Sequence, residues 1–84
     1  MMLDIFAVLD KKANAFGNPF TAPNLSTGIR SFKYAANDKT TEIGRFPEDF
    51  SLYHLGSFDT QTAKIDLMIE PFLLTPAQPL VEVI

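Results

Sequence analysis

The residues with chemical capability are few, and they favour binding over catalysis. His54 is the single histidine. Its neighbours Leu52, Tyr53 and Leu55 set it inside a strand, where an imidazole serves packing or the surface. A metal centre would need further His, Cys or carboxylate donors at suitable spacing, and no spacing around His54 supplies them. Glu48 and Asp49 form a carboxylate pair, but adjacent acids in a loop more often cap a turn or a helix start than share acid–base work. The chain has no cysteine, which excludes thiol catalysis and cysteine-held iron–sulfur clusters. It also lacks a phosphate-cradling glycine loop and a nucleophile-elbow serine. The sequence predicts no enzyme and no cofactor.

Binding fits better. Single-stranded nucleic acid is held by cations that follow its phosphates and by aromatic faces on which bases stack. Lys11, Lys12, Arg30, Lys33 and Arg45 supply cations, with Phe16, Phe20 and Tyr34 interleaved. Phenylalanines usually go to the core, so Tyr34 is the stacking candidate. The expected nucleic-acid-binding set is Lys11, Lys12, Arg30, Lys33, Tyr34 and Arg45. The chain as a whole carries a net charge of −3. Its cations sit in the middle, where Lys11, Lys12, Arg30, Lys33, Lys39 and Arg45 outnumber Asp38 and Glu42. From residue 46 on, Lys64 stands against Glu48, Asp49, Asp59, Asp66, Glu70 and Glu82. If the fold keeps these regions apart, the molecule is polar, with one face for a polyanion and one for something else.

The elements that position these residues can be read from periodicity. Met2–Leu9 alternates with little polarity on either face, the pattern of a strand buried on both sides. Asp10–Asn14 ends it. A short second strand is expected around Phe16–Thr21, with Gly17 or Pro19 as an irregularity. Pro23-Asn24-Leu25-Ser26 marks a helix start, Asn24 or Ser26 being able to cap the first turn. Leu25, Ile29, Phe32 and Ala36 then form one apolar helical stripe. Gly28 weakens the helix but permits close packing on a strand. Arg30 and Tyr34 are surface neighbours four residues apart, with Lys33 and Asn37 in the next row.

Thr40–Asp49 reads as a polar loop. Phe50–Phe58 reads as a strand with a bulge at Gly56. Asp59–Thr62 is a hairpin turn, and Ala63–Ile69 alternates so that Ile65, Leu67 and Ile69 face inward. Pro71, Pro76 and Pro79 make the remainder an extended, irregular tail ending in the apolar Leu80–Ile84. The expected architecture is α+β: strand, strand, helix, strand, strand, with a mostly antiparallel sheet and one helix on a face. The domain is placed at residues 1–70 and the tail at 71–84. No apolar run approaches the roughly 18 residues a membrane span needs, and no signal peptide is visible. The sequence predicts a soluble protein with no membrane partner. A chain of 84 residues without a staple is marginal alone, so a homo-oligomer is expected, a dimer above all.

Several segments together resemble a known family. They are the opening strand ending in Asp10-Lys11-Lys12-Ala13, the Pro19-Phe20 step, and the helix with Gly28-Ile29-Arg30-Ser31-Phe32 leading to Asn37-Asp38. The most specific is Phe46-Pro47-Glu48-Asp49-Phe50-Ser51-Leu52-Tyr53-His54-Leu55-Gly56-Ser57-Phe58-Asp59. This pattern, over residues 2–69, resembles the small nonstructural protein of gokushovirus-like microviruses, which are single-stranded DNA phages. The resemblance implies a phage origin, the host cytoplasm as location, and a part in single-stranded DNA synthesis or packaging. The expected function is a non-enzymatic single-stranded DNA-binding accessory protein. The alternative is an interaction module whose acidic C-terminal half and apolar tail bind a phage or host protein.

Overall fold

The computed structural model describes residues 1–82. β1 (Met2–Asp10) is followed by two short strands, β2 (Ala15–Phe16) and β3 (Phe20–Ala22). Then come α1 (Leu25–Ala36), the single turn α2 (Glu42–Arg45) and a 3-10 turn at Pro47–Asp49. β4 (Phe50–Asp59), β5 (Ile65–Pro76) and a 3-10 turn at Gln78–Leu80 complete the chain. All strand pairs are antiparallel, in the order β2-β1-β4-β5, and β3 pairs β1 beside β2. The fold is thus α+β.

Directly paired residues share a face of the sheet. One face carries Phe6 with its partners Phe20 and His54, and Val8 with its partner Leu52. α1 covers this face. Phe6, Ala22, Phe32, Ala36, Phe50, Leu52 and Ala77 form the core, with Ile29 and Val8 packed at its margin. Phe6 stacks on Phe20 with ring centroids 5.4 Å apart. Gly28 of α1 lies directly over Phe6, and a methyl group there would overlap the ring. A glycine costs about 1 kcal/mol of helix propensity, and here it permits the close approach of helix and sheet. The opposite face carries Leu3, Ile5, Ala7 and Leu9, with Tyr53 and Phe58 beside them. On it Phe16 meets Tyr53 edge-on, with centroids 5.1 Å apart.

The expected second strand is split. Gly17-Asn18-Pro19 interrupts it, so β2 and β3 pair with different parts of β1. The expected polar loop after α1 contains α2, because the Thr41 hydroxyl oxygen accepts from the Gly44 N–H at 3.0 Å and caps that turn.

Two differences concern β5. Ile65, Leu67 and Ile69 were expected to face inward, yet they are 55%, 70% and 104% exposed. Alternation sets which residues share a face but not whether anything covers that face. The sequence also starts the tail at residue 71, whereas β5 continues through Pro71 to Pro76. β5 is an edge strand, where a residue without an N–H can sit with that side turned away from the sheet. Beyond it, the Ala77 N–H donates to the Phe50 carbonyl at 2.9 Å. Ala77 is buried, and Leu80 and Val81 pack on the core. Residues 77–81 therefore belong to the folded unit. Val83 and Ile84, the end of the expected tail, lie outside the described residues.

Candidate nucleic-acid interface

The local chemistry of α1 fixes where its polar face points. Asn24 and Thr27 form a reciprocal cap: the Asn24 side-chain oxygen accepts from the Thr27 N–H at 2.9 Å, and the Asn24 N–H donates to the Thr27 hydroxyl at 3.2 Å. With the start pinned and Gly28, Phe32 and Ala36 buried, Arg30, Lys33, Tyr34 and Asn37 are turned outward together. They line one open hollow of about 290 Å³, and Glu82 closes its rim. Tyr34 is 74% exposed, so its ring is free of the core. Lys33 occupies the last turn of α1, where the helix dipole favours a cation.

Asn37 is the joint of the site. Its side-chain NH2 donates to the Lys33 carbonyl at 2.9 Å and to the Leu80 carbonyl at 3.0 Å. Its side-chain oxygen accepts from the Glu82 N–H at 2.7 Å. The amide thus ties the chain after β5 to the end of α1 and delivers the Glu82 carboxylate to Lys33, 3.0 Å from Nζ. Both partners of this ion pair are well exposed. Such pairs are worth about 0–1 kcal/mol, so a phosphate can take the place of the carboxylate.

The structure brings Arg30, Lys33 and Tyr34 together and leaves the other expected residues elsewhere. Lys11 and Lys12 lie in the turn after β1, where the Asp10 carboxylate accepts from the Lys12 N–H at 3.0 Å. Lys12 lines a different hollow with Asp10, Glu42, Phe46, Asp49 and Phe50. Three carboxylates there oppose a polyanion. Arg45, exposed at the end of α2, lines neither hollow. Lys39 is exposed, and its ammonium donates to the Gly44 carbonyl at 3.2 Å.

His54 pairs with Asp4, Nε2 to Oδ1 3.0 Å, in a half-buried position beside Phe6. That arrangement joins β1 to β4. No cluster of three or more His, Cys, Asp or Glu able to hold a metal occurs among the described residues. No helix among them is long and apolar enough to cross a membrane.

Sequence reading missed Glu82. It lies 45 residues from Asn37 along the chain, and no helical or strand spacing links the two. Asn37 was visible as a neighbour of Lys33, but its role as a tether was not.

Fold and site define a small α+β domain that presents a cationic helix face with one free aromatic ring. A family model described as Phage ORF5 protein matches residues 3–79. The chain belongs to this family of phage proteins. No curated protein and no solved structure matches it.

Proposed function

We propose that this phage protein is a non-enzymatic accessory protein that binds single-stranded DNA through the outer face of α1. Arg30 and Lys33 contact phosphates, Tyr34 stacks on a base, and Asn37 offers polar contacts at the edge. The observation that carries the reading is the meeting of Arg30, Lys33 and Tyr34 in one hollow on a chain that is otherwise acidic. The family membership supports a phage context. The resemblance to microvirus nonstructural proteins supports a role in genome synthesis or packaging in the host cytoplasm.

Two phosphate contacts per chain give a log–log salt slope of about −1.4, so affinity is modest and falls with salt. The test is fluorescence anisotropy of a labelled single-stranded oligonucleotide at low and near-physiological salt. Salt-sensitive binding at micromolar protein is the expected result. The double variant Arg30→Glu, Lys33→Glu lowers affinity by at least about tenfold, because each attraction becomes a repulsion. Absence of binding at low salt overturns the reading. Unchanged affinity of the double variant overturns the face.

A further inference from the structure

The first half of β5 does nothing for the core. Every residue from Ile65 to Leu73 is exposed. Among them Ile65, Leu67, Met68, Ile69, Phe72 and Leu73 are large and apolar, 41% to 104% exposed. Isolated exposed apolar side chains are common on surfaces, but a contiguous run marks an interaction site.

The backbone explains the exposure. Leu67 pairs with Gly56, and Phe72 pairs with His54. β5 therefore places residues 68–71 where β4 has only Leu55, and Met68-Ile69-Glu70-Pro71 stands out from the sheet. β5 is also the end strand, with β4 as its one neighbour. Its outer side has no partner strand, which makes it a template for another chain. The opposite edge is different: it is broken into two short strands by Gly17-Asn18-Pro19.

We infer that this projecting half of β5 is where a second copy of the same chain docks, antiparallel, about a two-fold axis at Leu67. Charge selects both the occupant and the register. The segment carries Asp66 and Glu70, with Lys64 just before it 3.8 Å from the Asp66 carboxylate of the same chain, a net negative balance that suits neither DNA nor an anionic membrane. An axis at Leu67 sets Lys64 opposite the partner's Glu70, and does so twice. It also sets Ile65 opposite the partner's Ile69. An axis one residue on, at Met68, sets Asp66 against the partner's Glu70, a like-charge contact. An axis at Ile65 pairs Lys64 with the partner's Asp66 but sets Met68 and Ile69 against the turn residues Thr62 and Gln61 of the partner rather than against its strand.

Area agrees with this choice. The chain exposes 5622 Å², whereas a folded monomer of its mass is expected to expose about 5000 Å². The excess, about 600 Å², approaches the roughly 800 Å² per partner that a standard interface buries.

The test is sedimentation velocity on the full chain at micromolar concentrations without DNA, so its outcome is separate from that of the DNA-binding reading. The wild type is expected to dimerise. Ile69→Asp is expected to be monomeric with an unchanged far-UV circular dichroism spectrum, since that fully exposed side chain supports nothing in its own fold. Lys64→Glu and Glu70→Lys each weaken dimerisation by about tenfold or more, and the double swap restores it. A monomeric wild type overturns the inference, including the case where another protein occupies the segment. So does a dimer indifferent to Ile69→Asp, or a double swap that fails to restore pairing.

Discussion

The outer face of α1 and the projecting half of β5 are both left over from the core, and they differ in almost every other respect. The α1 face is a rigid helix side whose position is set by the Asn24 cap and by Gly28 seated on Phe6. It carries long cations and one tyrosine. The β5 segment is a sheet edge drawn out by a bulge, and it carries aliphatic side chains with a small acidic excess. The proposed DNA contact uses the first, where charge and stacking matter more than shape. The inferred self-association uses the second, where shape and apolar area matter more. One small domain can hold both because α1 packs on a face of the sheet while β5 forms its edge beyond β4.

Removing what the two surfaces share has the largest effect. Phe6 is fully buried, touches α1 through Gly28, and is paired with His54 of β4. Phe6→Ala should cost about 3–5 kcal/mol, a large part of the total stability of a domain this size. Denaturant titration should show the loss, and DNA binding and self-association should fail together. If either survives at full strength, the surfaces do not depend on a common core.

Glu82→Gln sharpens the comparison with a smaller effect. It removes the carboxylate that occupies Lys33 while keeping the Glu82 N–H bond to Asn37. Affinity for single-stranded DNA should rise about two- to fivefold, the value of one exposed ion pair. The sedimentation behaviour should not move. Unchanged affinity would mean that Glu82 does not compete at the site.

The smallest expected effect is on pH dependence, with one group in each region. After α1, the Asp38 carboxyl is held below its ordinary 3.8 by the Thr40 hydroxyl and the Thr40 N–H. At the turn into β5, the Gln61 N–H holds the Asp59 carboxyl below 3.8. A carboxyl with a depressed folded pKa stabilises fully above its unfolded value and loses that contribution as pH falls through the folded one. Melting temperatures taken below about pH 4 should therefore fall less steeply for Asp38→Asn and Asp59→Asn than for wild type. Identical slopes would show that these turns do not report on either region.

The two regions also differ in how far the sequence reveals them. The helix side follows from local rules: the Leu25-Ile29-Phe32-Ala36 stripe, the Asn24 cap and the small Gly28 all point to one packed face. Phe32 and Ala36 are indeed buried there, while Leu25 at the first turn is 38% exposed. The irregularity at Gly56 was legible too, since the register shifts beside it. The β5 side was misread because alternation looks the same whether or not a second layer exists. Ile65, Leu67 and Ile69 have the pattern of inward residues in a chain with nothing to face. Pro71 looked like a strand end because its one exemption, an edge position, depends on strand order. Within the site, Arg30, Lys33 and Tyr34 came from helical spacing, whereas Glu82 reaches Lys33 through a tertiary tie that spacing cannot encode.

That tie has a practical consequence for anyone attaching a label. The Met1 carbonyl accepts from the Thr60 N–H at 2.9 Å and from its hydroxyl at 3.0 Å, so the first residue sits at the turn leading into β5. Glu82 sits at the rim of the α1 hollow, held by Asn37. A dye placed at the first residue crowds the sheet edge, and one placed at residue 82 crowds the helix face. Each attachment point is a built-in steric probe of a different surface, so the two positions should be labelled in separate preparations.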